Sequence, residues 1–226
     1  MSTAQPAPAA APDSARTRIG LMQILAIPAV DKTIAVVASI PFVYALYRRL
    51  AEGNLNIPRA CAALGLLVVI VTMLFRRAPQ RVTPNPLWWL LAFAATYGPM
   101  SWVALAPPGR PIVPAVVTNA LAIVSLLILL YARLSLGRNI GFVPAQRKLV
   151  RSGAYAYVRH PIYTGLSLAW IALVLRLWTP LNLALMLTFV TLIVIKSLVE
   201  EGFLRQDPEY AEYMRQVKHR FVPGLV

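Results

Sequence analysis

The chain has 226 residues, 58% of them hydrophobic and only 13% charged, with a mean hydropathy of +0.64. A soluble domain carries about 25% charged residues, so the composition excludes one and specifies an integral membrane protein sized for one helical bundle. The net charge of +14 does not imply a nucleic-acid partner, because the basic residues flank apolar segments, where they set topology and meet anionic headgroups, and no polar basic domain is there to carry such binding.

In chain order, residues 1–18 are rich in Ala, Pro, Ser and Thr, and the first basic residue is Arg16. The basic-then-apolar order of a signal peptide is missing, and the segment reads as a disordered tail. Hydrophobic segments follow near 33–47, 60–75, 87–106, 112–132, 163–178 and 180–199. A full span needs about 20 apolar residues, which the third, fourth and sixth supply. The first is short. Either it borrows from Ile19–Val30, with Asp31 and Lys32 paired or snorkelling, or Ile19–Val30 is a separate interfacial helix. Cys61, the only cysteine, lies in an apolar run. It excludes an intrachain disulfide and argues against a cysteine-ligated metal. With two histidines and no His-Glu-x-x-His pattern, no metal is expected.

Thr179-Pro180 separates the last two segments, which predicts a tight helical hairpin, since proline suits the first turn of a new helix. With the N-terminus inside, six spans place 17 of the 22 basic residues on the cytoplasmic side and leave Arg48, Arg49, Arg59, Arg110 and Arg176 outside. That bias supports two cytoplasmic termini. The fold class expected is therefore an all-α polytopic bundle of about six transmembrane helices, with five to seven as the bounds.

The connection Arg133–His160 holds basic residues, glycines and no acidic residue. It leads into Arg159-His160-Pro161-Ile-Tyr163-Thr-Gly165. Proline restrains His160 to an extended conformation and then enters the first helical turn. Free N–H groups of that turn, with Arg159, His160 and Tyr163, would suit a carboxylate or phosphate. Alone, Arg159-His160 reads equally as an interfacial anchor and Tyr163 as part of an aromatic belt. Glu200-Glu201 closes the sixth segment. Pairing with Lys196 and Arg205 at i,i+4 is one reading. Adjacent residues diverge by about 100°, so one glutamate can pair while the other faces the bundle and holds an ammonium. No Gly-x-Gly-x-x-Gly or P-loop is present.

The run Leu149-Val-Arg-Ser-Gly153-Ala-Tyr155-Ala-Tyr-Val-Arg159-His160-Pro-Ile-Tyr163-Thr-Gly165, then Glu200-Glu201, Tyr210, Tyr213, Arg220 and Pro223, resembles the isoprenylcysteine carboxyl methyltransferase family and its phospholipid N-methyltransferase relatives. The resemblance covers roughly residues 133–226, within one membrane-embedded methyltransferase domain expected over 19–226. It implies S-adenosylmethionine as cofactor. Tyr155, His160 and Tyr163 would contact its methionine end, with Glu200 or Glu201 nearby. Leu149 and Val150 would border the adenine, and Gly153 and Gly165 belong to the same motif. Arg159, Glu200 and Glu201 are the residues expected at the chemistry, with Arg159 or a tail arginine holding an acidic group of the acceptor by a bidentate contact. The acceptor would be lipophilic: a carboxylate, a thiol or an amine. The composition resembles that of bacterial proteins, which implies an inner membrane. A nicotinamide-dependent reductase and a non-catalytic carrier are the alternatives.

Overall fold

Proline punctuates the helices. A computed structural model describes residues 27–51, 53, 56–105, 107–141 and 143–224. Among them are α1 (Pro28–Ala51), α2 (Ile57–Leu74), α3 (Pro86–Leu105), α4 (Ala115–Leu136), α5 (Pro161–Arg176), α6 (Pro180–Leu204) and α7 (Pro208–Gln216). Five of these begin on proline itself, where a missing N–H costs nothing and the ring pre-sets the helical φ. Side chains finish the caps: Asn56 accepts from Arg59 N–H at 3.2 Å, Asn85 from Leu87 N–H at 2.9 Å, and Thr179 from Asn182 N–H at 3.0 Å. The expected hairpin at Thr179-Pro180 is the turn between α5 and α6.

The all-α expectation holds, since most of the described residues are helical. The described sheet is a two-residue ladder, β1 (Arg81–Val82) against β2 (Ala145–Gln146), which ties the proline-rich α2–α3 connection to the long loop after α4. Among the described residues four helices are long and apolar enough to cross a membrane: α1, α2, α4 with its following 3-10 turn, and α6. α3 has 20 residues without a charge, and α5 is shorter at 16. At about 1.5 Å per residue, α3 reaches the roughly 30 Å of a hydrocarbon core. Leu87, Leu90, Val116 and Leu134 are exposed apolar side chains on the outside of the bundle, as befits a protein whose solvent is lipid.

The first segment gains length at both ends, since α1 runs from Pro28 to Ala51 and takes in residues 28–30 of the stretch it was expected to borrow from. The tail 1–18 and residues 19–26 lie outside the described residues, and with them the choice between a longer first span and an interfacial helix. Asp31 and Lys32 are paired, with partners on α2 and just beyond it. Arg76 grips Asp31 at 2.6 and 3.1 Å, and Lys32 Nζ donates to the carbonyls of Leu74 and Arg76 at 2.7 and 3.1 Å. α1 and α2 are thereby locked antiparallel.

α4 extends past its predicted end to Leu136 and stops at Gly137, whose φ of 58° is open to glycine without strain. It lies against α2 on one side and α5 on the other. The α4–α5 crossing is close because of Gly165. A Cβ there would sit 2.7 Å from Leu129 Cγ, and Ser125 Oγ donates to the Gly165 carbonyl at 2.9 Å.

These contacts sort the connections onto two ends. The end of α2, the ladder, the loop after α4, the start of α5, the end of α6 and α7 share one end. At the other, Arg176 Nη1 reaches Asn56 Oδ1 at 3.2 Å, and Arg110 pairs with Trp178. The basic residues assigned outside by counting, Arg48, Arg49, Arg59, Arg110 and Arg176, fall at this second end. Single cysteines on a Cys61→Ala background test the orientation. Ser152→Cys and Gln206→Cys are expected to label from the cytoplasm and Thr179→Cys from the opposite side. Labelling of Ser152→Cys and Gln206→Cys from opposite sides would break the common end on which the site depends.

Candidate functional site at the charged end of the bundle

His160 is the N-cap of α5 and Pro161 its first residue, as the Arg-His-Pro order predicts. The approach to it is set by Gly153, with φ 64°, which opens a short 3-10 turn, Gly153–Ala156. Gly153 also makes room for Ser135, whose Oγ accepts from Ala154 N–H at 3.1 Å. The turn buries Tyr155 against Ala132 and Ala154, with Val150 packed on that cluster. The Tyr213 hydroxyl of α7 donates to the Tyr155 carbonyl at 2.8 Å. Burial pushes the Tyr155, Tyr210 and Tyr213 phenols up from their ordinary pKa, so all three stay protonated donors.

The glutamate pair divides as the helical angle predicts, and neither member is a surface ion pair. Glu201 is 3% exposed. Its carboxylate accepts from Arg159 Nε at 2.8 Å, His160 Nε2 at 3.0 Å, and Arg220 Nε and Nη2 at 3.2 and 2.8 Å. A carboxylate only accepts, so the network assigns a proton to His160 Nε2. Hydrogen bonding to Glu201 holds the Arg220 guanidinium above its ordinary pKa. The i,i+4 partner suggested for Glu201, Arg205, is exposed; three donors from α5 and the tail converge on Glu201 instead. Glu200 does keep its i,i+4 partner, with Lys196 Nζ at 3.5 Å. It also accepts from the Tyr163 hydroxyl at 2.8 and 3.0 Å. Lys196 lies over the Tyr163 ring, 5.2 Å from its centroid.

His160 joins the two halves. Its ring stacks on Tyr163 with centroids 5.2 Å apart, and its Nδ1 is 3.9 Å from Glu200 while its Nε2 meets Glu201. Arg159, His160, Tyr163, Glu200 and Glu201 therefore form one cluster, as the motif spacing predicts.

The open anion cradle expected at the start of α5 is already filled. Residues 217–221 lie across it as an extended strap. Arg159 and His160 N–H donate to the carbonyls of His219 and Arg220 at 3.0 and 2.9 Å, and Thr164 Oγ1 donates to the Phe221 carbonyl. Tyr163 and Thr164 N–H turn back to the His160 carbonyl. Arg159 Nη1 donates to the carbonyls of Val217 and Lys218 at 2.7 and 2.6 Å. Arg159 thus clamps the strap to Glu201, and Gly165 serves the α4–α5 crossing.

Leu149 lies apart from this cluster. It borders a cavity of about 400 Å³ between the loop after α4, the end of α2 and the start of α7, lined by Arg77, Asn139, Arg147, Lys148 and Asp207 among others. Gln146 bonds Asp207 across it. Burial, with Arg76 beside it, pulls the Arg147 guanidinium down to about 10. Asn139 Oδ1 is buried there without a hydrogen-bond partner among the described residues. Sequence reasoning missed Asn139 and Ser135, which carry no motif signal, placed Thr164 in the motif without a role for its side chain, and read Arg133 and Lys196 only as topology and pairing residues.

A model of the phospholipid methyltransferase family matches residues 113–209. That stretch contains α4, the motif loop, α5, α6 and both glutamates. Over that stretch, a little under half of the chain, the sequence is similar to phospholipid methyltransferases. The family includes the isoprenylcysteine carboxyl methyltransferases, in line with the motif resemblance, although the match starts earlier than residue 133 and takes in the whole of α4. No curated protein matches the chain. The match supports a membrane methyltransferase in general, and His160, Glu200 and Glu201 lie inside the matched stretch.

Proposed function

We propose that the protein transfers the methyl group of S-adenosylmethionine to a carboxylate, thiol or amine of a lipophilic acceptor, at the charged end of the bundle. The observation that carries this reading is the Tyr163–Glu200–His160 arrangement: a carboxylate 15% exposed, flanked by two aromatic rings and facing a cluster of fixed donors. The donor set fits the cofactor. Glu200 and the Tyr163 and His160 rings suit an ammonium and a sulfonium, and the unsatisfied Asn139 acceptor, in the cavity bordered by Leu149, suits an exocyclic amine. When bound, the cofactor supplies an electrophilic methyl on sulfur, displaced in line by the acceptor atom.

The protein's own part is alignment and exclusion of water. Tyr163 holds Glu200 in place from one side and Lys196 from the other. Glu201, Arg159 and Arg220 are positioning residues, fixing His160 and the strap and not touching the reacting atoms. An acceptor carboxylate needs no base; a thiol or amine would lose its proton to Glu200, the more open of the two carboxylates. The acceptor would enter sideways between helices.

Calorimetry with purified protein tests the reading. S-adenosylmethionine and S-adenosylhomocysteine are expected to bind and NADPH not to. Tyr163→Phe is expected to weaken cofactor binding by about 0.5–3 kcal/mol, the range for one hydrogen bond to a neutral or charged group. Folded protein that binds neither sulfur compound would overturn the reading, and binding of NADPH would favour a reductase.

A further inference from the structure

Four lysine or arginine side chains among the described residues are less than a tenth exposed: Arg76, Arg133, Arg159 and Lys196. Three of them have a carboxylate, namely Asp31, Glu201 and Glu200. Arg133 is 8% exposed and has no carboxylate within ion-pair distance among the described residues. Among the described residues its one hydrogen bond runs from Nη1 to the neutral Thr72 hydroxyl at 2.8 Å. A guanidinium offers five N–H donors in a planar fork, built for two parallel bonds to an oxyanion.

The position of Arg133 points to what completes it. It lies in the last turn of α4, next to Ala132, on which Tyr155 packs. The phenols of Tyr155 and Tyr163 are within electrostatic reach of its charge. Arg133 therefore sits beside the cluster, in which Arg159, Lys196 and Arg220 are each neutralised by Glu200 or Glu201. A buried charge left uncompensated is costly, and an arriving counter-charge recovers that cost on binding.

We propose that Arg133 is the oxyanion receptor of this site, gripping a carboxylate or phosphate group of a bound ligand through its free N–H groups. That oxyanion comes from the amino-acid end of the cofactor or from the acidic head of the acceptor. The choice between these two sources rests on the methyltransferase reading; the receptor itself does not.

The test uses two pairs of probes that differ by one acidic group, on full-length protein in uncharged detergent. S-adenosylhomocysteine is compared with 5′-methylthioadenosine, and dodecyl phosphate with dodecanol. Wild type is expected to prefer the acidic member of at least one pair. Arg133→Gln is expected to lose about ten-fold of that preference, the worth of one charge-assisted bond, with binding of the neutral member unchanged. Loss in the nucleoside pair assigns the cofactor carboxylate, and loss in the alkyl pair assigns the acceptor. Arg133→Lys, which keeps the charge but not the fork, is expected to lose about three-fold. Without ligand, Arg133→Gln is expected to melt at or above the wild-type temperature, because it removes an uncompensated charge. Unchanged preferences in both variants, or a lower ligand-free Tm for Arg133→Gln, would overturn the proposal. Should wild type bind neither nucleoside yet prefer dodecyl phosphate in an Arg133-dependent manner, the methyltransferase reading falls and the receptor stands.

Discussion

Glu201→Ala is expected to be the most damaging single change in the charged end, costing about 3–5 kcal/mol, the range for removing one partner of a buried ion pair. The reason is the number of groups left behind. Arg159 is buried and Arg220 half-buried, and both lose their only carboxylate among the described residues, while His160 loses the acceptor of its Nε2 proton. Glu201→Gln keeps the shape but removes the charge, so it should fall between wild type and Glu201→Ala. Thermal unfolding in detergent checks the order. Proteolysis adds a site-specific readout, since the strap is expected to become cleavable near residues 217–221 in Glu201→Ala before the bundle unfolds. A Glu201→Ala protein as stable and as protease-resistant as wild type would mean that the strap is held by its backbone contacts alone.

Asp31→Ala is expected to cost a similar amount, about 3–5 kcal/mol, but at a different place. It leaves the Arg76 guanidinium 5% exposed against apolar helices with a carbonyl contact and a long Met73 Sδ contact. Replacing both partners, as Asp31→Leu with Arg76→Met, is expected to restore most of that stability, because a well-packed apolar pair avoids the desolvation of both ions. The double variant separates the two roles of the pair. Full recovery of stability with intact cofactor binding would make Asp31–Arg76 a latch for α1 and α2 only. A double variant as unstable as Asp31→Ala would show that neighbours such as Lys32 depend on the pair.

What was legible in the sequence is what local chemistry dictates. Pro161 and Pro180 mark helix starts because a proline removes an N–H that the first turn does not need. The division of labour between Glu200 and Glu201 follows from the angle between adjacent helical residues. The grouping of Arg159, His160, Tyr163 and the glutamates follows from a hairpin that returns the chain to the end it left. What stayed hidden depends on long-range partners. Glu201 is 42 residues from Arg159 and 19 from Arg220, and nothing at Arg205 announces that its i,i+4 invitation is declined. The strap covers the approach to α5 with backbone carbonyls that take the N–H groups of Arg159 and His160, which no side-chain pattern encodes. Asp31 invited a partner, but its choice of Arg76 was fixed by the α1–α2 packing. Gly165 stands in the motif, and in space it also makes the close α4–α5 crossing.

The strap also sets an order of assembly. Residues 217–221 are translated after α1 to α6, and the groups they satisfy, the N–H groups of Arg159 and His160 and the guanidinium of Arg159, belong to a segment made some 60 residues earlier. Chains emerge N-terminal end first, at roughly 5–20 residues per second. Glu201 is made only 16 to 20 residues before the strap, so it becomes free to meet Arg159 at about the time the strap does. The strap is therefore the last part of the charged end to be made, and its docking on Arg159 and Glu201 completes that end.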